Sequence, residues 1–512
     1  MKKYFFNLLC LFIAFDVFAD FENYDGQDIS GMDFSSGSYI YSSWRNVAAI
    51  GTNFSGGDFT SANFTNADLT DVSFYGATLR NAEFTNAIIK GEVSFGDTTS
   101  KGFTKEQLYS TASYKNKDLS GIDLSGNNLT GWNFSGQNLT DATFDYAKLT
   151  NADFTDAIIN GAAFSNTTSR GFTKEQLYST ASYKNRYLEG ISFHGNDLTG
   201  WDFSKQNLTN ADFFNSILTN TDFTDAVING ASFSYTTSQG FTKEQLYSTA
   251  SYKNKDLSGV DLGPNDLTGW NFAEQNLTKA NFYRSTLTNA NFVYANLTGA
   301  DFTKADLRGA YINNIIGTPY TKNTIWNDGV IKNFKMESEN DSFTLSRYTS
   351  AKSREIISAK IDTDASISNG AVLTIENGEC LHITNNATLT LADGGVLAFE
   401  ASDGSNSSVL VESGSGFSFG ETSKIIVNLS EDFSTPQTFA VMNWTDFSKI
   451  SGTENLVKDQ NIFVNFADGQ SDVFWSFSIT ESGLYLNIPE PSTYAAVIGA
   501  IALAVAVYRR RK

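Results

Sequence analysis

Nucleophilic, acid–base and metal chemistry each need side chains that converge on one point, and this chain supplies few that could. Its 512 residues include two histidines, His194 and His382, and two cysteines, Cys10 and Cys380. His382 stands between Leu381 and Ile383 on an expected strand, two residues beyond Cys380. The sequence offers this couple no third partner, and two ligands do not make a zinc site. A Cys–His nucleophile would need both side chains within reach, for which the sequence gives no support. His194 follows Phe193 at a water-facing position, where the sister blocks carry Ser125 and Gly263, and so reads as a surface residue. Asp68, Asp153, Asp222 and Asp301 recur at one slot and could line up to bind calcium. The nonapeptide calcium signature is absent, however, and Asn often takes the same slot, so turn geometry is the better account. No phosphate loop, dinucleotide fingerprint or nucleic-acid motif is present. The expectation is a chain without catalytic, cofactor or metal residues.

The elements that would position any chemistry follow an unusual period. Phe59, Phe64, Leu69, Phe74, Leu79, Phe84 and Ile89 fall every fifth residue, and Ala62, Ala67, Val72, Ala77, Ala82 and Ala87 precede their partners by two. A period of five fits neither a helix nor a flat strand. A short fixed period marks a solenoid, whose units bury apolar surface only by stacking on neighbours. Phe and Leu also alternate, as in Leu129, Phe134, Leu139, Phe144, Leu149, Phe154, Ile159 and Phe164. With four units per coil, Phe134 stacks on Phe154 and Leu139 on Ile159, giving aromatic and aliphatic ladders that pack like on like.

Runs such as Ala62-Asn63-Phe64-Thr65-Asn66, Ala152-Asp153-Phe154-Thr155-Asp156 and Ala305-Asp306-Leu307-Arg308-Gly309 resemble the pentapeptide-repeat family. The resemblance covers roughly half the chain. It implies an all-β fold: a right-handed quadrilateral β-helix, with the central Phe or Leu and the Ala two before it pointing inward and the other three positions facing water.

A longer repeat is superposed on the first. Gly102–Tyr114 recurs at Gly171–Tyr183 and Gly240–Tyr252. Thr104 with Gln107 three residues on reads as a capping box. Inserts at about 98–116, 167–185 and 236–254 are therefore expected as short helices outside the coil. After each, a Trp takes the usual Ala slot: Trp132, Trp201 and Trp270. These are read as closing the interior against the insert, with a ligand-stacking role as the rival.

The formal charge is −20, with 36 Lys and Arg against 56 Asp and Glu. Such a chain is a poor binder of nucleic acid or anionic membrane. Residues 1–19 read as a secretory signal peptide: Lys2 and Lys3, an apolar stretch from Tyr4 to Phe15, and cleavage after Ala19. Cys380 is then the only cysteine left. At the other end, residues 489–512 carry Pro489-Glu490-Pro491, an apolar stretch from Tyr494 to Val507, and the basic stop Arg509, Arg510, Arg511 and Lys512. This resembles the PEP-CTERM sorting signal, which implies an exosortase-type processing enzyme as partner. The apolar span is shorter than the ~20 residues of a stable membrane helix, and the basic tail would stay cytoplasmic. A permanent anchor is the alternative.

Residues 20–50 are expected to cap the solenoid at 51–316, 317–351 to form a cap and linker, and 352–488 a second β-rich region. That region is either β-helix-like or a sandwich. Its segments Val372–Ile375, Thr388–Leu391 and Lys424–Val427 are separated by turns at Gly370, Gly378 and Gly394. Three functions compete. The first is a non-enzymatic scaffold, exported through the secretion machinery, held by a short transmembrane helix before processing and then sorted to the cell surface or extracellular matrix. The resemblance implies exopolysaccharide or surface proteins as its partners. The second is a carbohydrate-binding or carbohydrate-active surface protein, whose paired carboxylates the sequence cannot locate. The third is a DNA-mimicking, topoisomerase-binding pentapeptide protein.

Overall fold

The computed structural model describes residues 22–346, 358–402, 405–429, 437–457, 460–465 and 475–488. The chain divides into two compact units, Met1–Leu262 and Gly263–Lys512. The signal-peptide and sorting segments lie outside the described residues.

In the first unit, parallel bridges link residues one coil apart, among them Asn53↔Ser73, Asp58↔Thr78 and Asn63↔Glu83. Each pentapeptide is one bridge and one tight turn. Phe59 N–H donates to Thr78 O at 2.9 Å, and Ala62 N–H donates back to Phe59 O at 3.0 Å. The third residue of the turn is left-handed, as at Ser61 (φ 59°) and Asn66 (φ 58°). That geometry is the type II signature and favours Gly or Asn. The bridge residue caps its own turn: Asp58 Oδ1 accepts from Thr60 N–H at 2.9 Å, and Asn63 Oδ1 from Thr65 N–H at 2.9 Å. This is why Asp and Asn interchange there.

Inside, the ladders form as expected. Phe134 stacks on Phe154 at 5.3 Å and Phe144 on Phe164 at 5.2 Å, while the two ladders meet edge to face. Leu139 N–H donates to Ile158 O, holding the aliphatic face in register. The coil starts earlier than the sequence reading placed it. Bridges begin at Asn23↔Ser43, so residues 22–50 are coil rather than a separate cap. Tyr24, Ile29, Phe34, Tyr39, Trp44 and Ala49 keep the phase, and Trp44 is fully buried and stacked on Phe64. Large rings in place of Phe and Leu, with few Ala before them, hid the repeat.

The inserts are helical but do not lie outside the coil. The first comprises a 3-10 turn at Thr99–Lys101 and helices Lys105–Ser110 and Ala112–Lys115. The Thr104–Gln107 capping box is formed, as are its equivalents at Thr173 and Thr242. Phe103 lies inside, stacked on Phe95 at 4.5 Å, and Leu108 is fully buried. The insert replaces rungs of one coil. Leu79 N–H donates to Lys101 O and Asn86 N–H to Ser110 O. A helix spends its backbone groups on itself, so it cannot serve every group of the preceding rung. Gln107 Nε2 supplies the rest, donating to Leu79 O at 2.8 Å and Ala82 O at 2.7 Å. Trp132 packs on Phe103 and Tyr109 of the insert at 5.9 and 6.4 Å, closing the interior as expected. Gln107→Leu should remove the cap and strand both carbonyls, destabilising this block by about 1–3 kcal/mol. Faster amide exchange confined to the coils around Leu79 would report it, and unchanged exchange there would refute the role.

The second unit opens with the same coils, from Asp266↔Thr286 to Asp306↔Ile325. The described part of the stretch read as cap and linker, residues 317–346, is instead coil. It bridges back at Asp301↔Tyr320 and forward at Val330↔Lys360 and Met336↔Ile367. Beyond it the strands form a parallel β-helix of three faces, which decides against the sandwich. One face stacks Ser342–Leu345, Val372–Ile375, Val396–Ser402, Lys424–Leu429 and Ile462–Asn465. A second stacks Lys360–Ile361, Cys380–Ile383, Ser408–Val411 and Gln437–Trp444. A third stacks Ala365–Ile367, Thr388–Leu391, Gly416–Phe419 and Ile450–Ser451. Alternate residues point into one core that runs from Ile325 to Ile488. Gly483–Ile488 pairs antiparallel with Gln437–Trp444 and with Ser476–Thr480, which covers a strand edge.

Candidate functional site

The Asp row serves the turns. Asp68 Oδ1 accepts from the N–H and hydroxyl of Thr70 at 3.1 and 2.6 Å. Asp153, Asp222 and Asp301 each accept from the N–H two residues on, at 2.9, 2.8 and 2.8 Å. Their carboxylates are thereby held to their own turns. His194 is half-buried with its ring against Phe214 at 4.7 Å, and Phe214 in turn contacts Tyr235. Among the described residues no group of three or more His, Cys, Asp or Glu is arranged to hold a metal. The sorting-signal residues Pro489, Glu490, Pro491 and Arg509–Lys512, and the cleavage residue Ala19, lie outside the described residues.

The sequence showed His382 no partner; the fold gives it one. Leu410 pairs with His382 across parallel strands, and just beyond them Glu412 Oε1 meets His382 Nδ1 at 2.9 Å. Cys380 lies on the same outward side, two residues along the strand. The Cys380 side chain and then Glu412 raise the imidazole's pKa above its ordinary value, against burial that lowers it. Thiol, imidazole and carboxylate in this order resemble an activated nucleophile with an oriented base. The row stands on an outer sheet face, and none of the three lines the cleft described below. Glu412 comes from the next coil, so only coil length could have revealed it.

A second cluster contradicts the water-facing rule for pentapeptides. Arg308, just after the inward Leu307, is fully buried. Its Nη2 meets Asp306 Oδ2 at 2.7 Å, and its Nη1 meets Glu379 Oε2 at 3.1 Å. Nη2 also donates to Ser346 O. Glu379 Oε1 accepts from Ala359 N–H at 2.9 Å. Burial pushes the Glu379 carboxyl up, against the Arg308 charge that pulls it down. Arg308 is buried because strands of the three-faced helix cover this side of the last square coil. The sequence signal was slight: an Arg where most repeats carry Thr or Ser.

These observations define a repeat protein of scaffold type. The family profile "Pentapeptide repeats" matches in eight copies over residues 44–91, 118–156, 207–237, 256–292 and 280–316. The chain carries pentapeptide repeats over those residues and has a β-helix fold. HetL, a pentapeptide repeat protein involved in heterocyst differentiation regulation from Nostoc sp. strain PCC 7120, is 17% identical, over 63% of this chain and 97% of its own, with a TM-score of 0.15. A pentapeptide repeat protein from the Arabidopsis thaliana thylakoid lumen is 24% identical, over 26% and 69%, with a TM-score of 0.12. QnrB1, a plasmid-mediated fluoroquinolone resistance protein, is 14% identical, over 47% and 87%, with a TM-score of 0.15. No curated protein matches.

Proposed function

We propose that this protein is an exported, surface-sorted scaffold without enzymatic activity, its stacked coils presenting a long binding surface. The observation that carries the reading is the order of parts. An export signal ending at Ala19 precedes the coils, and Pro489-Glu490-Pro491 with the Arg509–Lys512 stop follows them. Among the described residues no helix is long and apolar enough to cross a membrane. Exosortase-type processing, the secretion machinery and a matrix polysaccharide or surface protein are its proposed partners. Replacing Pro489, Glu490 and Pro491 with Ala should leave export intact and trap the uncut form in the inner membrane. Fractionation with mass spectrometry of the C-terminus checks this. A variant that reaches the surface with the parent's mature mass would sink the processing claim and leave the tail a plain anchor. A carbohydrate-binding role is the second reading, favoured by a cleft in the second unit. DNA mimicry has less support, because the regular carboxylates are held to their own turns.

A further inference from the structure

Among the described residues, two cations in the second unit form no ion pair with a carboxylate, unlike Arg308 and Lys322. Arg284 and Lys304 take the same turn position in successive coils, both left-handed at φ 56° and 62°. Arg284 N–H donates to Thr303 O and Lys304 N–H to Lys322 O, which sets the side chains one rung apart. Arg284 Nη2 donates to a neutral group, Ser342 Oγ, at 2.9 Å, and its guanidinium lies 5.4 Å from the Tyr283 ring centroid. The Lys304 ammonium has no hydrogen bond or ion pair among the described residues, whereas Lys322 pairs with Asp341 at 2.8 Å. Both cations face one cleft of about 480 Å³. Its walls carry the hydroxyls of Thr286, Ser342 and Thr344, and the Glu376 carboxylate stands at one side without a partner among the described residues. The buried Arg308 network lies against the same cleft and fixes the strands around it.

We infer that this cleft binds an acidic sugar chain, a carboxylate-bearing oligosaccharide of the uronate type. The inference rests on the reading of the protein as a binding scaffold and names its ligand class and its site. The volume lies within the ~300–1,000 Å³ of small-molecule sites, larger than a simple tetrahedral oxyanion fills. Arg284 offers the planar fork that a carboxylate accepts in two bonds, and Lys304 a second positive charge beside it. Glu376 would repel a bare anion but accepts hydrogen bonds from sugar hydroxyls, and the Thr and Ser hydroxyls donate or accept as the ring requires. Burial and then the neighbouring Arg284 charge lower the Lys304 pKa from its ordinary value, and the Asp341 carboxylate, already paired with Lys322, offsets this only in part. Two like charges held together in this way are relieved by an anion between them.

Isothermal titration of the full chain with oligogalacturonate, with the neutral oligosaccharide of the same length and with inorganic sulfate tests the site. Oligogalacturonate should bind, weaken as salt rises, and lose about tenfold in affinity with either Arg284→Gln or Lys304→Gln. Lys205→Gln, in the first unit, should change nothing. Arg284 is exposed, so its variant keeps the test valid should Lys304→Gln fail to fold. Equal binding of sulfate would overturn the sugar assignment, and so would equal binding of the neutral oligosaccharide. Binding that both variants leave unchanged, or no binding, would overturn the site. Fractionation reads export separately, so a surface-sorted protein that fails to bind sinks only the cleft, and a binding protein that is not exported sinks only the sorting.

Discussion

Phe144→Asp should destabilise the first unit by more than the ~3–5 kcal/mol typical of truncating a buried Phe. Phe144 is fully buried, stacked on Phe164 at 5.2 Å and edge-on to Phe134 and Phe154 at 5.4 Å each. The substitution removes three ring contacts and puts a carboxylate where no donor faces it. A buried unpaired charge either draws in water by opening the coil or takes up a proton. Because each coil touches only its neighbours, the loss should concentrate around Phe144. Phe144→Leu is the control: Leu124 already occupies that face one coil earlier, with its N–H donating to Thr143 O, and is fully buried. Its cost should be clearly smaller. A melting curve for the Asp variant that matches the parent would dispose of the inward ladder.

Arg308→Met should cost the second unit about 3–5 kcal/mol, the usual penalty for leaving a buried charge without its partner. Asp306 and Glu379 would face each other with no cation between them. The loss should depend on pH in a definite sense. Burial already raises the Glu379 carboxyl above its ordinary 4.5, and removing the Arg308 charge takes away what pulls it down. The folded variant then holds a proton that the unfolded chain releases near the ordinary value. Where the native state binds more protons, stability falls as pH rises. The deficit should therefore be larger at pH 8 than at pH 4, read from melting temperatures at both. Arg308→Met combined with Glu379→Met should recover part of the loss, since an apolar pair can replace a buried ion pair. A pH-independent deficit would show that Glu379 is not the group left exposed to the change.

Much of this was legible because a five-residue period admits few structures. A bridge and a turn with one left-handed residue use up five positions, and Asn66, Gly131 and Asp156 stand where φ is positive. The capping box at Thr104 and the closing role of Trp132 could likewise be read, since both depend on residues near in sequence. The early coils escaped because Tyr39 and Trp44 satisfy the inward slot by size and not by the usual residue type. The placement of the inserts escaped because Gln107 bonds to Leu79 and Ala82, more than twenty positions away. In the same way His382 gained Glu412, and Arg308 gained Glu379.

The sequence by itself determined the solenoid, its inward ladders and the helical nature of the inserts. Each of these is written in local periodicity or in a contiguous capping motif. The tertiary structure decided that the second region is a three-faced helix, that residues 317–346 are coil, and which of the described charges are buried or paired. Those outcomes depend on coil length and register, which bring together residues tens of positions apart. No local pattern records whether Arg308 is covered while Arg284 and Lys304 are left facing a cleft.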